Sequence, residues 1–195
     1  KTDEMIEKIN ATKELSGKDS ANLVISDSLA SQIAALSQGV QNSNEVVGMY
    51  QIADNSLQAI QTGADKLSDL SVQFNNAALG DTEKASLQKE FDAVSKSMQD
   101  IAEQTTYNGQ NLFSSTYGLD LSGMNDLSLG DQKGLNTFRE NLSSLSSTIS
   151  SQMNGAISSI TNSLTAMTNL SSANAQISEK QMNQKITQMK SDEIK

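Results

Sequence analysis

Apolar residues recur every three to four positions over two long stretches of the chain, 19–74 and 135–189, and no proline interrupts them. This spacing places the apolar side chains on one face of an α-helix. The first stripe opens with steps of four, three and four, at Leu29, Ile33, Leu36 and Val40, and runs on to Phe74. The pattern predicts a long amphipathic helix.

Two further stripes follow. The second alternates steps of four and three through Leu87, Phe91, Val94, Met98, Ile101 and Thr105. We expect its helix to begin at Asp81, which follows Gly80 and can cap the free amides of the first turn. The third stripe begins at Leu135 and weakens towards Ile177. Three long apolar seams have to pack on one another or on copies of themselves, so the predicted fold is all-α, an elongated bundle of long antiparallel helices.

Few segments interrupt this pattern. Asn75, Asn76 and Gly80 mark the first turn, and Asn108-Gly109 ends the second helix, with no β-hairpin evident in the residues after it. The segment 114–134 is rich in glycine and has no sustained period. We expect it to be a short irregular or hairpin-like crossover before the third helix.

Composition narrows the range of partners. A formal net charge of −9 argues against binding nucleic acid or an anionic bilayer, because both depend on lysine and arginine to neutralise phosphates. No stretch of eighteen apolar residues occurs, so no membrane partner is expected. The chain opens inside what reads as a helix, at Met5, Ile6 and Ile9, and we expect the natural start to lie upstream.

The residues offer little for catalysis. With no histidine and no cysteine, the usual general base, thiolate nucleophile and transition-metal ligands are absent. Asp120, Asp126 and Asp131 lack the alternating oxygen ligands and closing glutamate of a calcium loop, and are interpreted as a solvated acidic loop. We therefore expect no enzyme activity, no cofactor and no metal.

Several segments, in colinear order over most of the chain, resemble bacterial flagellin. They read SGKDSANLVISDSL (16–29), QIADNSL (51–57), LSVQ (70–73), QTTYNG (104–109) and NLSSA (169–173). The resemblance implies the rod-like flagellin core domain, D1, over 16–178, with the crossover at about 114–134. Residues 1–15 and 179–195 then correspond to parts of the terminal helices of the D0 region.

The resemblance also implies a function. A flagellin is a structural subunit of the flagellar filament, exported through the flagellar type III secretion channel with an export chaperone and located outside the cell. In place of the outer domains the chain has only a short crossover, and in this it is similar to the short secreted flagellin-like proteins of the flagellin C type. The alternative is therefore a secreted, non-polymerising protein that interacts with host cells or modulates innate immune recognition. A remote third interpretation is the filament-hook junction protein, which Asn111-Leu112-Phe113 supports slightly.

One surface patch is carried over from the family. By alignment on LSVQ, the residues through which a host Toll-like receptor holds stimulating flagellins correspond to Lys66, Leu70 and Glu90, with lysine where the family has arginine. Because lysine cannot form a planar bidentate fork, the resemblance implies only weak receptor binding. Gly155 and Asn174 likewise stand where the family has arginine, so the contacts of those arginines are expected to be lost.

Overall fold

The computed structural model describes the backbone of residues 2–194 and the side chains of 2–10, 17 and 20–194. Its three α-helices are α1 (Thr2–Phe74), α2 (Asp81–Gln104) and α3 (Gln132–Glu193). The predicted all-α class and helical bundle are confirmed. Of the expected terminal segment 1–15, Lys1 and the side chains of 11–15 lie outside the described residues.

The chain forms two compact units. The terminal unit comprises Lys1–Ser43 and Ser158–Lys195, and the central unit comprises Asn44–Ile157. Each of the long helices α1 and α3 therefore contributes to both units, whereas α2 belongs to the central unit alone.

The central unit holds the apolar core. The fully buried side chains of the core include, in α1, Leu57, Ile60, Leu67 and Leu70, and in α3, Leu135, Leu142 and Ile149. From α2 the core receives Phe91 and Met98, while Leu87, Val94 and Ile101 pack against it half-buried. The heptad stripe that the sequence predicts for α2 is therefore its core face.

The start of α2 agrees with the prediction, but the capping does not. The helix begins at Asp81, and Gly80 occupies the N-cap position in an extended conformation. Because glycine has no side chain, this end has no side-chain cap. Asp81 lies one position inside the helix and, with Glu83, places negative charge near the positive helix end.

A small β-hairpin follows α2. Strand β1 (Thr106–Tyr107) pairs antiparallel with β2 (Gln110–Asn111). The connecting residues Asn108 and Gly109 both have positive φ, 50° and 77°. A two-residue turn with positive φ at both positions is the type I′ turn, for which Asn-Gly is the preferred sequence. This hairpin is not evident in the sequence, because two-residue strands are too short to show any alternation.

The crossover to α3 is irregular, as expected, and contains two 3₁₀-helices, Ser115–Tyr117 and Met124–Asp126. It is not merely a connection. Leu119 and Leu129 are fully buried, and with Met124 and the preceding Leu112 they belong to the same core as the helices. Although it has no period, this segment contributes to burying the core of the central unit.

Polar contacts attach the hairpin to the helices. The side-chain amide of Asn111 donates to the carbonyl oxygens of Ala102 and Glu103, at 2.8 and 3.2 Å, near the end of α2. Thr105 Oγ1 lies 2.6 Å from the carbonyl oxygen of Ile101 and 2.7 Å from Ser56 Oγ of α1. These bonds satisfy carbonyl groups that a helix end leaves without an intrahelical partner.

Gly63 marks a close approach between α1 and α2. A Cβ built at this position would lie 2.5 Å from Met98 Cγ and 2.8 Å from Met98 Sδ. Met98 is buried, so its side chain has little room to move away. Glycine is thus required here for packing, whereas a Cβ added to the helical Gly155 would meet no neighbour within 4 Å.

We expect Gly63→Ala to lower the free energy of unfolding by about 1–3 kcal/mol, because it overpacks the contact with Met98. The matched control is Gly155→Ala, which should raise stability by about 0.5–1 kcal/mol through helix propensity alone. Chemical denaturation of the two variants measures both values. An equal gain in stability from both substitutions would show that the helices do not approach closely at Gly63.

Candidate interaction surfaces

The terminal unit is built from two helical segments that share a half-buried seam. In α1 the seam consists of Leu29, Ile33, Leu36 and Val40, and in α3 it includes Ile160, Met167, Leu170 and Ile177. The apolar spacing predicts these positions, but it also predicts Leu164, which is 48% exposed and lies outside the seam. A hydrogen bond from Ser26 Oγ to Asn174 Oδ1, 2.6 Å long, joins the two segments. Asn174, which stands where the family pattern has arginine, therefore makes a contact of its own.

The described side chains of the terminal unit include none that is fully buried. Many of its large apolar side chains are instead exposed. They are Met5, Ile6, Ile9, Leu23, Val24, Ile25, Leu164, Met182, Ile186, Met189 and Ile194, which we call the apolar surface of the terminal unit. Exposed apolar residues scattered singly are normal, whereas contiguous apolar patches mark interaction sites. Within this set, Leu23, Val24 and Ile25 are consecutive in the chain.

The apolar surface includes a face of α3 distinct from the seam. Met182, Ile186 and Met189 are separated by four and three residues, so they lie on one side of the helix. The step from Ile177 to Met182 is five residues, a rotation of roughly 140° around the helix axis. This second stripe therefore points away from the seam that ends at Ile177.

Charge is divided unequally between the two units. The terminal unit carries eight lysines and nine carboxylate residues, so it is close to neutral. The central unit carries six basic and fourteen acidic residues, and it holds nearly all of the net charge of −9. The apolar surface therefore lies on the part of the chain with the smaller net charge.

The three residues of the expected receptor patch occupy different environments in the central unit. Lys66 Nζ and Glu90 Oε1 form an ion pair of 2.9 Å between α1 and α2, and both side chains are about half exposed. Leu70 is only 1% exposed and belongs to the core. The structure thus brings Lys66 and Glu90 together at the surface, while Leu70 lies among the core residues.

Two of the three acidic residues of the crossover, Asp120 and Asp131, have structural partners. Asp131 Oδ1 accepts a hydrogen bond from the backbone N–H of Gly134 at 2.9 Å, in the first turn of α3, and Asp120 Oδ2 accepts one from Ser122 Oγ at 2.7 Å. Among the residues that the structure describes, no three His, Cys, Asp or Glu side chains are grouped closely enough to hold a metal ion.

A polar groove of about 480 Å³ lies beside α1 and α3 in the central unit. Arg139, the single arginine of the chain, lines it and donates through Nε to Asp65 Oδ1 at 2.8 Å. The sequence pattern does not predict this pair, because its partners are 74 residues apart. The groove is lined by arginine, amide, hydroxyl and carboxylate groups, and contains no nucleophile paired with a base. None of the helices in the described part of the chain is long and apolar enough to span a membrane.

Comparison with known proteins gives a consistent result. Residues 11–117 match the family described as the bacterial flagellin N-terminal helical region. Secreted flagellin C of Campylobacter jejuni subsp. jejuni serotype O:6 is 40% identical over 169 residues, covering 82% of this chain and 68% of the relative. The B-type flagellin of Pseudomonas aeruginosa is 32% identical over 111 residues, covering 57% of this chain and 22% of the relative.

The family match covers more than half of the chain, and the chain spans about two thirds of the length of the secreted flagellin C proteins it matches. The resemblance seen in the sequence is confirmed. So are the predicted function, a flagellin or flagellin-like structural protein, and its extracellular location. The chain belongs to the bacterial flagellin family.

Proposed function

We propose that the chain acts as a filament subunit by packing the apolar surface of its terminal unit against the terminal units of neighbouring copies. The observation that supports this proposal is that apolar side chains are buried in the central unit and exposed in the terminal unit. Every fully buried apolar side chain of the described residues lies between Tyr50 and Ile149, whereas eleven large apolar side chains of the terminal unit stay exposed. The central unit can fold on its own core, while the terminal unit still has apolar area to bury.

Magnitudes favour association with several neighbours. Fully burying a Leu, Ile or Met side chain is worth about 1.5–3 kcal/mol, and a side chain that is already half covered has roughly half of that left to gain. The whole apolar surface therefore offers on the order of 10 kcal/mol. This free energy is comparable with the cost of about 4–15 kcal/mol that two proteins incur on association through lost translational and rotational freedom. A single contact that covers part of the surface is marginal, so we expect stable assembly only where several copies meet.

The charge distribution is compatible with this arrangement. Copies that meet through their terminal units bring together surfaces that are almost neutral, and the acidic central units can remain in solvent. Repulsion between exposed like charges decreases over a Debye length of about 8–10 Å near physiological ionic strength. Added salt should therefore promote association.

Within this proposal, 16–178 forms the D1 core domain, and 1–15 and 179–195 belong to the D0 region. The chain travels through the flagellar type III secretion channel with an export chaperone. Its composition suits that route, because an unfolded chain without cysteine cannot be trapped by disulfides. A chain without proline also avoids the isomerisation that slows refolding by tens of seconds or more.

A second candidate function is a secreted protein that does not polymerise and meets host cells. The observation that favours it is the 40% identity to proteins named secreted flagellin C. Receptor recognition would use the exposed Lys66–Glu90 pair. Because Leu70 is buried, its part in such a patch would be to support the backbone beneath the two charged residues.

Substitution of the exposed Leu23 tests assembly through the terminal unit. We expect Leu23→Asp to lower self-association or incorporation into filaments by at least about tenfold, because a desolvated carboxylate opposes burial of this surface. Monomer stability should change little, since Leu23 is exposed. Sedimentation and electron microscopy measure the assembly, and circular dichroism melts measure the stability.

The matched control is Ile52→Asp, which places the same charge on an exposed position of α1 in the central unit. We expect this variant to assemble like the unchanged protein. If only Ile52→Asp blocks assembly, the central unit carries the contact and the proposal is wrong. If the unchanged protein stays monomeric and never enters filaments, the second candidate function is favoured.

Export through the flagellar channel is tested in cells. Deleting the export gate should remove the protein from the medium while leaving it detectable inside the cells. The measurement is quantitative immunoblotting of both fractions, with a protein secreted by another route as the control. Undiminished protein in the medium of the deletion strain would exclude this pathway.

Receptor binding is tested at Lys66. The unchanged protein should bind the Toll-like receptor ectodomain weakly, and Lys66→Arg should strengthen binding by up to about tenfold, because a guanidinium can make two parallel bonds to a carboxylate. Titration of the ectodomain measures the affinities. Glu90→Gln is the companion variant, because Leu70→Ala would also disturb the core. Nanomolar binding that neither variant changes would place recognition on another surface.

A further inference from the structure

The methionines of this chain fall into two groups with very different exposure. Met5, Met182 and Met189 are 63%, 60% and 68% exposed, and all three belong to the apolar surface of the terminal unit. In the central unit, Met98 and Met124 are buried in the core. The remaining three of the eight methionines, Met49, Met153 and Met167, are half-buried.

Exposure decides how readily a thioether is oxidised. A lone pair of the sulfur attacks one oxygen of hydrogen peroxide, and the O–O bond breaks. The other oxygen leaves as hydroxide, which takes the proton from the attacked oxygen and becomes water. Sulfur loses two electrons and the peroxide gains them, giving methionine sulfoxide and water. With no cysteine to compete, methionine is the main site for this reaction in the chain.

The position of the exposed sulfurs gives the reaction a consequence. Met182 and Met189 flank Ile186 on one face of α3, and Met5 is four residues before Ile9, on the same side of α1. The sulfoxide is polar and chiral, and it disrupts methionine-rich interfaces. Each oxidation therefore places a polar S–O group within the apolar surface. When copies associate through this surface, the S–O group loses its hydrogen bonds to water.

We propose that Met5, Met182 and Met189 form a peroxide-sensitive modification site, and that their conversion to sulfoxides weakens association of copies through the terminal unit. The second half of this inference rests on the proposed function. The buried methionines Met98 and Met124 keep their thioethers under the same oxidant treatment. The protein therefore loses association before it loses its fold. Reduction of the sulfoxides by methionine sulfoxide reductases reverses the change.

The chemistry is tested first. The purified full chain is treated with hydrogen peroxide, and mass spectrometry of its peptides follows sulfoxide formation at each methionine over time. We expect the three exposed methionines to react at least about tenfold faster than Met98 and Met124. Equal rates, or earlier oxidation of Met98, would overturn the inference, whatever the protein does in assembly.

Association is tested on the same samples by sedimentation, with circular dichroism to confirm that the helices persist. Oxidised protein should associate at least about tenfold more weakly, and treatment with both classes of reductase should restore association. The matched control is the triple variant Met5→Leu, Met182→Leu and Met189→Leu, which keeps similar apolar volume and should associate normally after peroxide treatment.

The outcomes separate the two proposals. If the triple variant loses association on oxidation as the unchanged protein does, these methionines are not responsible, and the modification site fails while the proposed function stands. If untreated protein does not associate at all, the proposed function fails, and the regulatory half of this inference fails with it. Loss of association together with loss of helix would also overturn the inference, because the core would then be the target.

Discussion

A helix with a broad apolar stripe hides that stripe from water only where more than one neighbour covers it. In the central unit, α1 makes contacts with both other helices: Gly63 approaches Met98 of α2, and Asp65 pairs with Arg139 of α3. The leucines of the crossover join the same core. In the terminal unit, the described residues of α1 share the unit with one other segment, that of α3. Their seam is half-buried, and other described apolar side chains remain exposed. The difference between the two units follows from the number of covering elements.

This difference connects the fold to assembly. The central unit gains its stability from burial within one copy, and its surface is free to be acidic. The terminal unit cannot complete its burial within one copy, and its nearly balanced charge does not oppose the approach of others. A structural subunit needs both properties, because it must remain folded as a monomer and still associate when many copies meet. The same exposure that allows association leaves three methionines open to oxidation.

The contacts that hold the helices in place are modest individually. The Lys66–Glu90 and Arg139–Asp65 pairs are half-exposed, and pairs of this kind contribute about 0–1 kcal/mol. They join α1 to α2 and α1 to α3, respectively. The apolar core, with Phe91, Leu67 and Ile149 among its buried members, supplies the main stabilisation. Ser71 lies on the core face with its hydroxyl buried and with no hydrogen-bond partner among the described residues, which is a free-energy cost that the surrounding apolar burial offsets.

The sequence by itself determined the helices and their apolar faces. Spacing of three and four residues predicted the core face of α2 and the seam from Leu29 to Val40, because helix geometry is local and every turn repeats it. Colinear motifs identified the family. The interaction surface was less visible, since periodicity shows that a side chain is apolar and on one face but not how many neighbours cover it.

Only the tertiary structure decided which of these faces are covered. It buried Leu70 but left Lys66 and Glu90 exposed, and it placed the aperiodic Leu119 and Leu129 in the core. The Asn108-Gly109 turn is encoded locally, yet its hairpin became evident only with the strand pairing in place. Burial, close approach and ion pairing join residues that are distant along the chain, whereas a periodic pattern reports only on near neighbours. For that reason the sequence specifies the helices, and the packing specifies which surface is left for a partner.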